Sequence, residues 1–266
     1  KKMLVCVDVG NTNIAIALMR DEVIVDRFRL MSKTPRTSDE YGFFLMNLMN
    51  QAKVKVEDLE GVILSSVVPK LNYSLTSAFK KYLHCNTMMV DHKMKLNFQL
   101  VTPYADQVGA DRIVNCAYIH HFHPEGGLVV DFGTATTYDY VDAKGDFKYV
   151  IIQPGLGISA NALTNQTAQL PEIEIKKPSS ILGTSTVTGM QAGIVYGYLG
   201  AVKEIIRTAK KELNDETAYV IATGGLGKVM AKELEEIDEY DGDLAYRGMR
   251  YLFDQNKENY RKSSEY

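Results

Sequence analysis

The stretch VCVDVGNTNIAIAL, Val5 to Leu18, decides the fold. Apolar, β-branched residues run up to Asp8, Gly10 follows two positions on, and Asn11, Thr12 and Asn13 make a polar turn before a second apolar run. That order predicts a hairpin with a carboxylate at the end of its first strand. It recurs as VVDFGTATTYDYV, Val129 to Val141, with Asp131 in the place of Asp8 and Gly133 in that of Gly10. The copies stand about half a chain apart. A repeat at that spacing predicts two similar α/β domains facing each other across a cleft.

The residue types say what such a cleft would hold. A carboxylate at a strand end can hold a hydrated divalent cation, and a glycine lets the backbone approach a phosphate closely. The side chains of Asn11, Thr12 and Asn13, and of Thr134, Thr136 and Thr137, can donate to phosphate oxygens. Either copy alone is also ordinary turn chemistry. The repetition in matching strand context favours the phosphate reading.

Around the two hairpins the chain alternates strands and helices. Thr37 to Glu40 fits a capping box that introduces a helix carrying Tyr41, Phe44, Leu45, Leu48, Met49 and Ala52. Gly61 to Val68 is a strand with two apolar faces that stops at Pro69, followed by a helix over about 71–83 and a short strand at 87–90. The second half repeats the order, with a long helix predicted from about Thr188 to Leu213, a strand over 218–222 and a last helix near 245–256. The predicted domains are residues 3–115 and 116–256, with a disordered tail at 257–266.

At 266 residues either one large or two ordinary domains would bury a substantial core. A net charge of −3 gives no electrostatic reason to expect nucleic acid, and no basic run marks a membrane surface. No apolar run is long enough to span a bilayer, and the first residues read as a strand rather than a signal peptide. Cys6, Cys85 and Cys116 lie far apart and read as reduced core residues of a cytoplasmic protein. Lys1 and Lys2 stand where an initiator methionine is expected, which fits a trimmed or tagged start.

Three further motifs remain open on spacing alone. Gly224-Gly225, after the strand ending at Thr223, lets a flat ring lie on the backbone or simply starts a helix tightly. Pro154 to Ser159 (PGLGIS) is a strand-to-helix turn that fits either a phosphate or plain loop geometry. Gly109 to Arg112 (GADR) opens an apolar helix, so Asp111 is either a helix-start residue or a carboxylate kept ionised by the dipole for use as a base. His120, His121 and His123 match no zinc spacing and read as a turn.

Taken together, these motifs resemble the type III pantothenate kinases, members of the acetate-kinase, sugar-kinase, Hsp70 and actin superfamily of duplicated ribonuclease-H-like domains. The resemblance rests on DVGNTN (Asp8 to Asn13), TSDEYG (Thr37 to Gly42), SSVVP (Ser65 to Pro69), VGADR (Val108 to Arg112) and VVDFGTATT (Val129 to Thr137). PGLGIS, the glycine-rich segment Gly183 to Tyr198 and ATGG (Ala222 to Gly225) complete it, in family order.

The resemblance implies ATP-dependent phosphorylation of pantothenate to 4′-phosphopantothenate, the first step towards coenzyme A, in a cytoplasmic homodimer. Asp8, Val9, Gly10, Asn11, Thr12, Asn13, Ile14 and Ala15 would form the first phosphate loop, with Mg²⁺ held through Asp8. Thr134 would contact ATP from the second loop, and Asp131 would hold a monovalent cation, potassium or ammonium. Tyr104, Gly109, Ala110, Asp111 and Arg112 would line the pantothenate pocket with Thr186, and Asp111 would be the general base. The family usually has a Gly pair just before PGLGIS, where this chain has Tyr149 and Val150. The apolar face Val195 to Val202 fits either a dimer interface or a core. Two other readings are a non-catalytic transcriptional regulator on the same fold and a superfamily kinase with another acceptor.

Overall fold

The computed structural model describes residues 2–260 and divides into two compact units. Among the described residues the first holds 2–124, 144–148 and 243–260; the second holds 125–143 and 149–242. Residue 1 and the last six residues, to which part of the predicted tail belongs, lie outside the described residues.

In the first unit β1 (Met3–Val9), β2 (Asn13–Arg20) and β3 (Val23–Met31) form an antiparallel meander. Helix α1 (Ser38–Gln51) leads to β4 (Leu59–Ser66), and α2 (Pro69–Leu83) to β5 (Thr87–Met89). The sheet runs β3-β2-β1-β4-β5, with β4 parallel to both β1 and β5. α1 starts as predicted: the Thr37 hydroxyl accepts from the Glu40 N–H at 3.2 Å, and the Glu40 carboxylate accepts from the Thr37 N–H at 2.7 Å. Pro69 ends the strand run and begins the helix, where its missing N–H costs nothing.

The second unit repeats the plan. β6 (Gly127–Phe132), β7 (Ala135–Val141), β8 (Phe147–Pro154), β9 (Val220–Thr223) and β10 (Glu239–Tyr240) form a sheet in the order β8-β7-β6-β9-β10, the same order as in the first. Between β8 and β9 come α4 (Leu156–Asn165) and the long α5 (Thr186–Glu212). A short helix, α6 (Gly227–Ala231), precedes β10.

Strand alternation sorts the side chains. Val5, Val7, Val9, Val62 and Leu64 share a core with Tyr41, Leu45, Leu75 and Phe79 of α1 and α2. The opposite face of that sheet carries Cys6, Asp8, Ile63 and Ser65. There it meets α3 (Ala110–Phe122) and α7 (Leu244–Asn256), which pack on each other.

α7 therefore belongs with the first unit, although chain order placed it in the second predicted domain. Its anchors are sequence-distant: Arg250, buried, pairs with Glu60 of β4, and Arg27 reaches Asp243 at 3.0 Å. Lys257 to Asn259 form a 3-10 turn, and the Tyr260 hydroxyl donates to the Asn86 carbonyl at 2.6 Å, so this part of the predicted tail is ordered.

Val195, Tyr198 and Val202 lie in the core of the second unit, which assigns that apolar face to packing. Tyr149 and Val150 are exposed on β8, and the Tyr149 ring stacks on Tyr140 at 6.2 Å. All three cysteines are buried. No helix among the described residues is long and apolar enough to cross a membrane.

Candidate active site

In the first unit Asp8 occupies a cross-strand row. Its register partners are Ala15 on β2 and Ser65 on β4, and Ala15 pairs in turn with Arg29 on β3. Arg29, Ala15, Asp8 and Ser65 thus line up across four strands on the face that α7 covers. Tyr246 of α7 reports the same placement. Its hydroxyl pKa is pushed up to about 12, first by burial and next by the negative charge of Asp8.

The turn beyond Asp8 is clamped from β3. The Gly10 N–H donates to the Asn13 carbonyl at 2.9 Å. Ser32, buried, donates through its hydroxyl to the Gly10 carbonyl at 2.6 Å and through its N–H to the Thr12 carbonyl at 3.0 Å. Asn11, Thr12 and Asn13 are exposed, while Val9 and Ile14 are fully buried and offer the loop only their backbone. Nothing in the local sequence singles out Ser32, because its partners lie twenty residues upstream.

Asp111 sits in the first turn of α3, after Gly109 at the N-cap. Its carboxylate folds back towards the cap: a Cβ at Gly109 would lie 2.6 Å from Asp111 Oδ1, so the glycine makes room for it. The same oxygen accepts from the Arg112 N–H at 2.9 Å. Its place in the first turn of a helix predicts an ionised carboxylate of ordinary, low pKa. The structure corrects it: burial pushes the Asp111 pKa up, and the Arg112 N–H and guanidinium oppose that only in part.

The start of α3 lies beside the end of β1. The Val67 N–H donates to the Val9 carbonyl at 3.0 Å, and a Val67 methyl would stand 3.9 Å from a Cβ at Gly109. Val67 of the SSVVP segment thus bridges Asp8's strand and the GADR turn. Tyr104, largely exposed, precedes the turn on the same approach to α3.

In the second unit three turns converge. Asp131 pairs with Thr137 on β7 and Thr223 on β9. Gly224 follows Thr223 at φ +91°, and a Cβ there would stand 2.8 Å from Asp131 Oδ1 and 2.6 Å from the Phe132 carbonyl oxygen. The Gly155 N–H, at the N-cap of α4, donates to the Thr134 carbonyl at 3.2 Å, and a Cβ on Gly155 would lie 2.1 Å from that oxygen. The ATGG and PGLGIS turns, ambiguous on spacing, are thereby joined to the Asp131 hairpin.

Thr136 departs from expectation. It is fully buried and its hydroxyl bonds with Tyr198, so alternation along β7 turns it to the core rather than towards a phosphate. Thr186 is exposed as the first residue of α5, after a capping box between Ser185 and Thr188. The histidines pack among rings: His120 lies 5.5 Å from Phe98, and His121 stacks on Tyr251 at 4.6 Å.

Two units of one sheet order, each ending its central strand in Asp-x-Gly, define the duplicated ribonuclease-H-like fold of the sugar kinases and actin-like ATPases. Solved structures share that fold. A putative Baf family transcriptional activator from Campylobacter jejuni superposes with a TM-score of 0.61 at 19% identity, over 96% of this chain and 99% of its own. The ADPNP-bound activator of the 2-hydroxyisocaproyl-CoA dehydratase from Clostridium difficile does so at 0.56 and 16%, over 97% and 96%. At sequence level the family model for type III pantothenate kinase matches residues 4–208. The type III pantothenate kinase of Agathobacter rectalis is 43% identical over 94% of this chain and 96% of that protein. The chain belongs to the type III pantothenate kinase family.

Proposed function

We propose that this protein transfers the γ-phosphoryl group of ATP to the primary hydroxyl of pantothenate, giving 4′-phosphopantothenate and ADP. The observation that carries the reading is the half-buried carboxylate of Asp111 beside the end of Asp8's strand, in a chain of this family. Asp111 accepts the hydroxyl proton as the oxygen–phosphorus bond forms and the bond to ADP breaks. A raised pKa strengthens it as a base. The transition state is loose, so orientation and charge neutralisation dominate the barrier.

Asn11, Thr12 and Asn13, held by the Ser32 clamp, and Thr134 would bond the phosphates. Asp8 fits a divalent cation: it ends a strand beside exposed amide and hydroxyl side chains, and a buried, orphaned hydroxyl stands next to it. No group of three or more His, Cys, Asp or Glu among the described residues could hold a metal. Mg²⁺ bound through one carboxylate, water and phosphates suits that arrangement, and its charge offsets that of the triphosphate. Asp131 fits a potassium or ammonium ion, since Gly224 leaves its carboxylate a cradle that a Cβ would fill. Tyr104, Gly109, Ala110, Arg112 and Thr186 would receive pantothenate.

A homodimer in the cytoplasm is the setting we propose. The support for dimerisation is apolar surface on the second unit: Ile151 and Ile152 of β8, Ile158 of α4 and Val187 of α5 are exposed. The test is an ADP-coupled assay with pantothenate and ATP, with sodium or potassium as the monovalent salt. Turnover that needs both substrates and rises in potassium is expected; no turnover in potassium would remove the reading.

A further inference from the structure

Ser65 is the one candidate in which burial, register and repetition agree. It is 1% exposed, and its hydroxyl has no hydrogen-bond partner among the described residues. An unpaired buried hydroxyl weakens a fold, so its retention in a strand interior calls for a use elsewhere. Its neighbour has a structural use: the Ser66 hydroxyl accepts from the Val68 N–H at 3.2 Å, where the chain turns into α2. Ser65 has no such partner.

Register says what Ser65 faces. It is the direct partner of Asp8 across the parallel β1–β4 pair, and side chains so paired rise on the same face about 4.8 Å apart. That face is the one under α7, where the Tyr246 hydroxyl senses the Asp8 charge. The second unit repeats the pairing. Asp131 of β6 stands opposite Thr223 of β9, another buried hydroxyl residue on the corresponding strand. Each copy of the hairpin thus has a carboxylate and, beside it, a hydroxyl from the crossover strand.

We infer that Ser65 is a positioning residue for Asp8: its hydroxyl turns to donate to the Asp8 carboxylate when that carboxylate takes up a divalent cation, fixing its orientation. The inference rests on the reading of Asp8 given above. A serine hydroxyl moves between staggered rotamers at little cost, so no backbone shift is needed. The bond is charge-assisted, the stronger kind, and its donor is buried.

Mn²⁺ is the probe, titrated by electron paramagnetic resonance into the full chain with a non-hydrolysable ATP analogue. Ser65→Ala should weaken Mn²⁺ binding about tenfold, the size of one hydrogen bond to a charged group. Its thermal midpoint should hold or rise, because the variant loses an unsatisfied group. Ser65→Thr, which keeps the hydroxyl, should restore binding to within about twofold. Unchanged Mn²⁺ affinity in Ser65→Ala, or a fall in midpoint that accounts for the weaker binding, overturns the role of Ser65. Asp8→Asn separates the two readings: if it leaves Mn²⁺ affinity unchanged, the assignment of Asp8 fails and this inference fails with it. If it abolishes binding while Ser65→Ala does not weaken it, only the inference falls.

Discussion

At Asp111 two physical effects oppose each other, and burial is the larger. A first-turn carboxylate gains from the helix dipole and from the Arg112 N–H, yet desolvation raises its pKa above the usual carboxylate value. The raised value has a stability consequence of definite sign. A carboxyl held more tightly protonated in the folded state supports folding below its unfolded pKa of about 3.9, and that support is lost as pH rises through the folded value. Asp111→Asn removes the ionisation. Its unfolding free energy, measured in urea, should therefore gain on that of the wild type as pH is raised from 4 to 7. Turnover should fall by about 10²- to 10⁴-fold, the usual worth of a general base. A variant that turns over normally, or that loses ground to the wild type with rising pH, would contradict the assignment.

The segment Lys144 to Lys148 shows how an element can belong where chain order does not put it. It leaves the second unit after β7 and docks in the first, where Leu100 and Phe147 form a parallel bridge. The Val101 N–H donates to the Phe147 carbonyl and the Phe147 N–H to the Gln99 carbonyl, both at 2.9 Å. Gly145 makes the docking possible. It stands at φ +84°, and a Cβ there would lie 2.1 Å from His120 Nδ1. Burial lowers the His120 pKa, in keeping with a ring packed between this segment and Phe98. Gly145→Ala combines a left-handed backbone with a collision and should cost about 2 kcal/mol or more, read as a lower urea midpoint at unchanged slope. A cost below about 0.5 kcal/mol would mean that the segment is not held as described. None of this was legible beforehand. Period-2 alternation located the strands and capping chemistry located α1, since both are written in consecutive residues. The Ser32 clamp, the burial of Thr136 and the partners of α7 depend on long-range packing, which a local pattern does not encode.

Duplication explains why so much of the candidate site could be read from the chain. Each half carries its own carboxylate, glycine and hydroxyl-rich turn, so each copy checked the other, and the repeated sheet order agrees with both. The repeat does not extend to the surface. In the first unit the edge strand β3 alternates exposed with partly buried residues and carries Arg27, Arg29 and Asp26. Its counterpart β8 has Tyr149, Val150, Ile151 and Ile152 in succession, 37–61% exposed, at the edge of the second sheet. Edge strands left to solvent are normally blunted by charge or proline, and a contiguous apolar patch marks an interface. In the homodimer proposed above, β8 is the strand expected to be covered by the second copy. Sedimentation at micromolar concentration should give the mass of a dimer. Val150 and Ile152 share one face of β8, so Val150→Glu with Ile152→Glu places two unpaired charges in that contact. Dimerisation should weaken by about a hundredfold or more, because an unpaired buried charge costs several kcal/mol, while the urea midpoint of the isolated chain stays near that of the wild type. A wild-type protein that sediments as a monomer, or a double variant that still dimerises, would place the interface elsewhere or remove it.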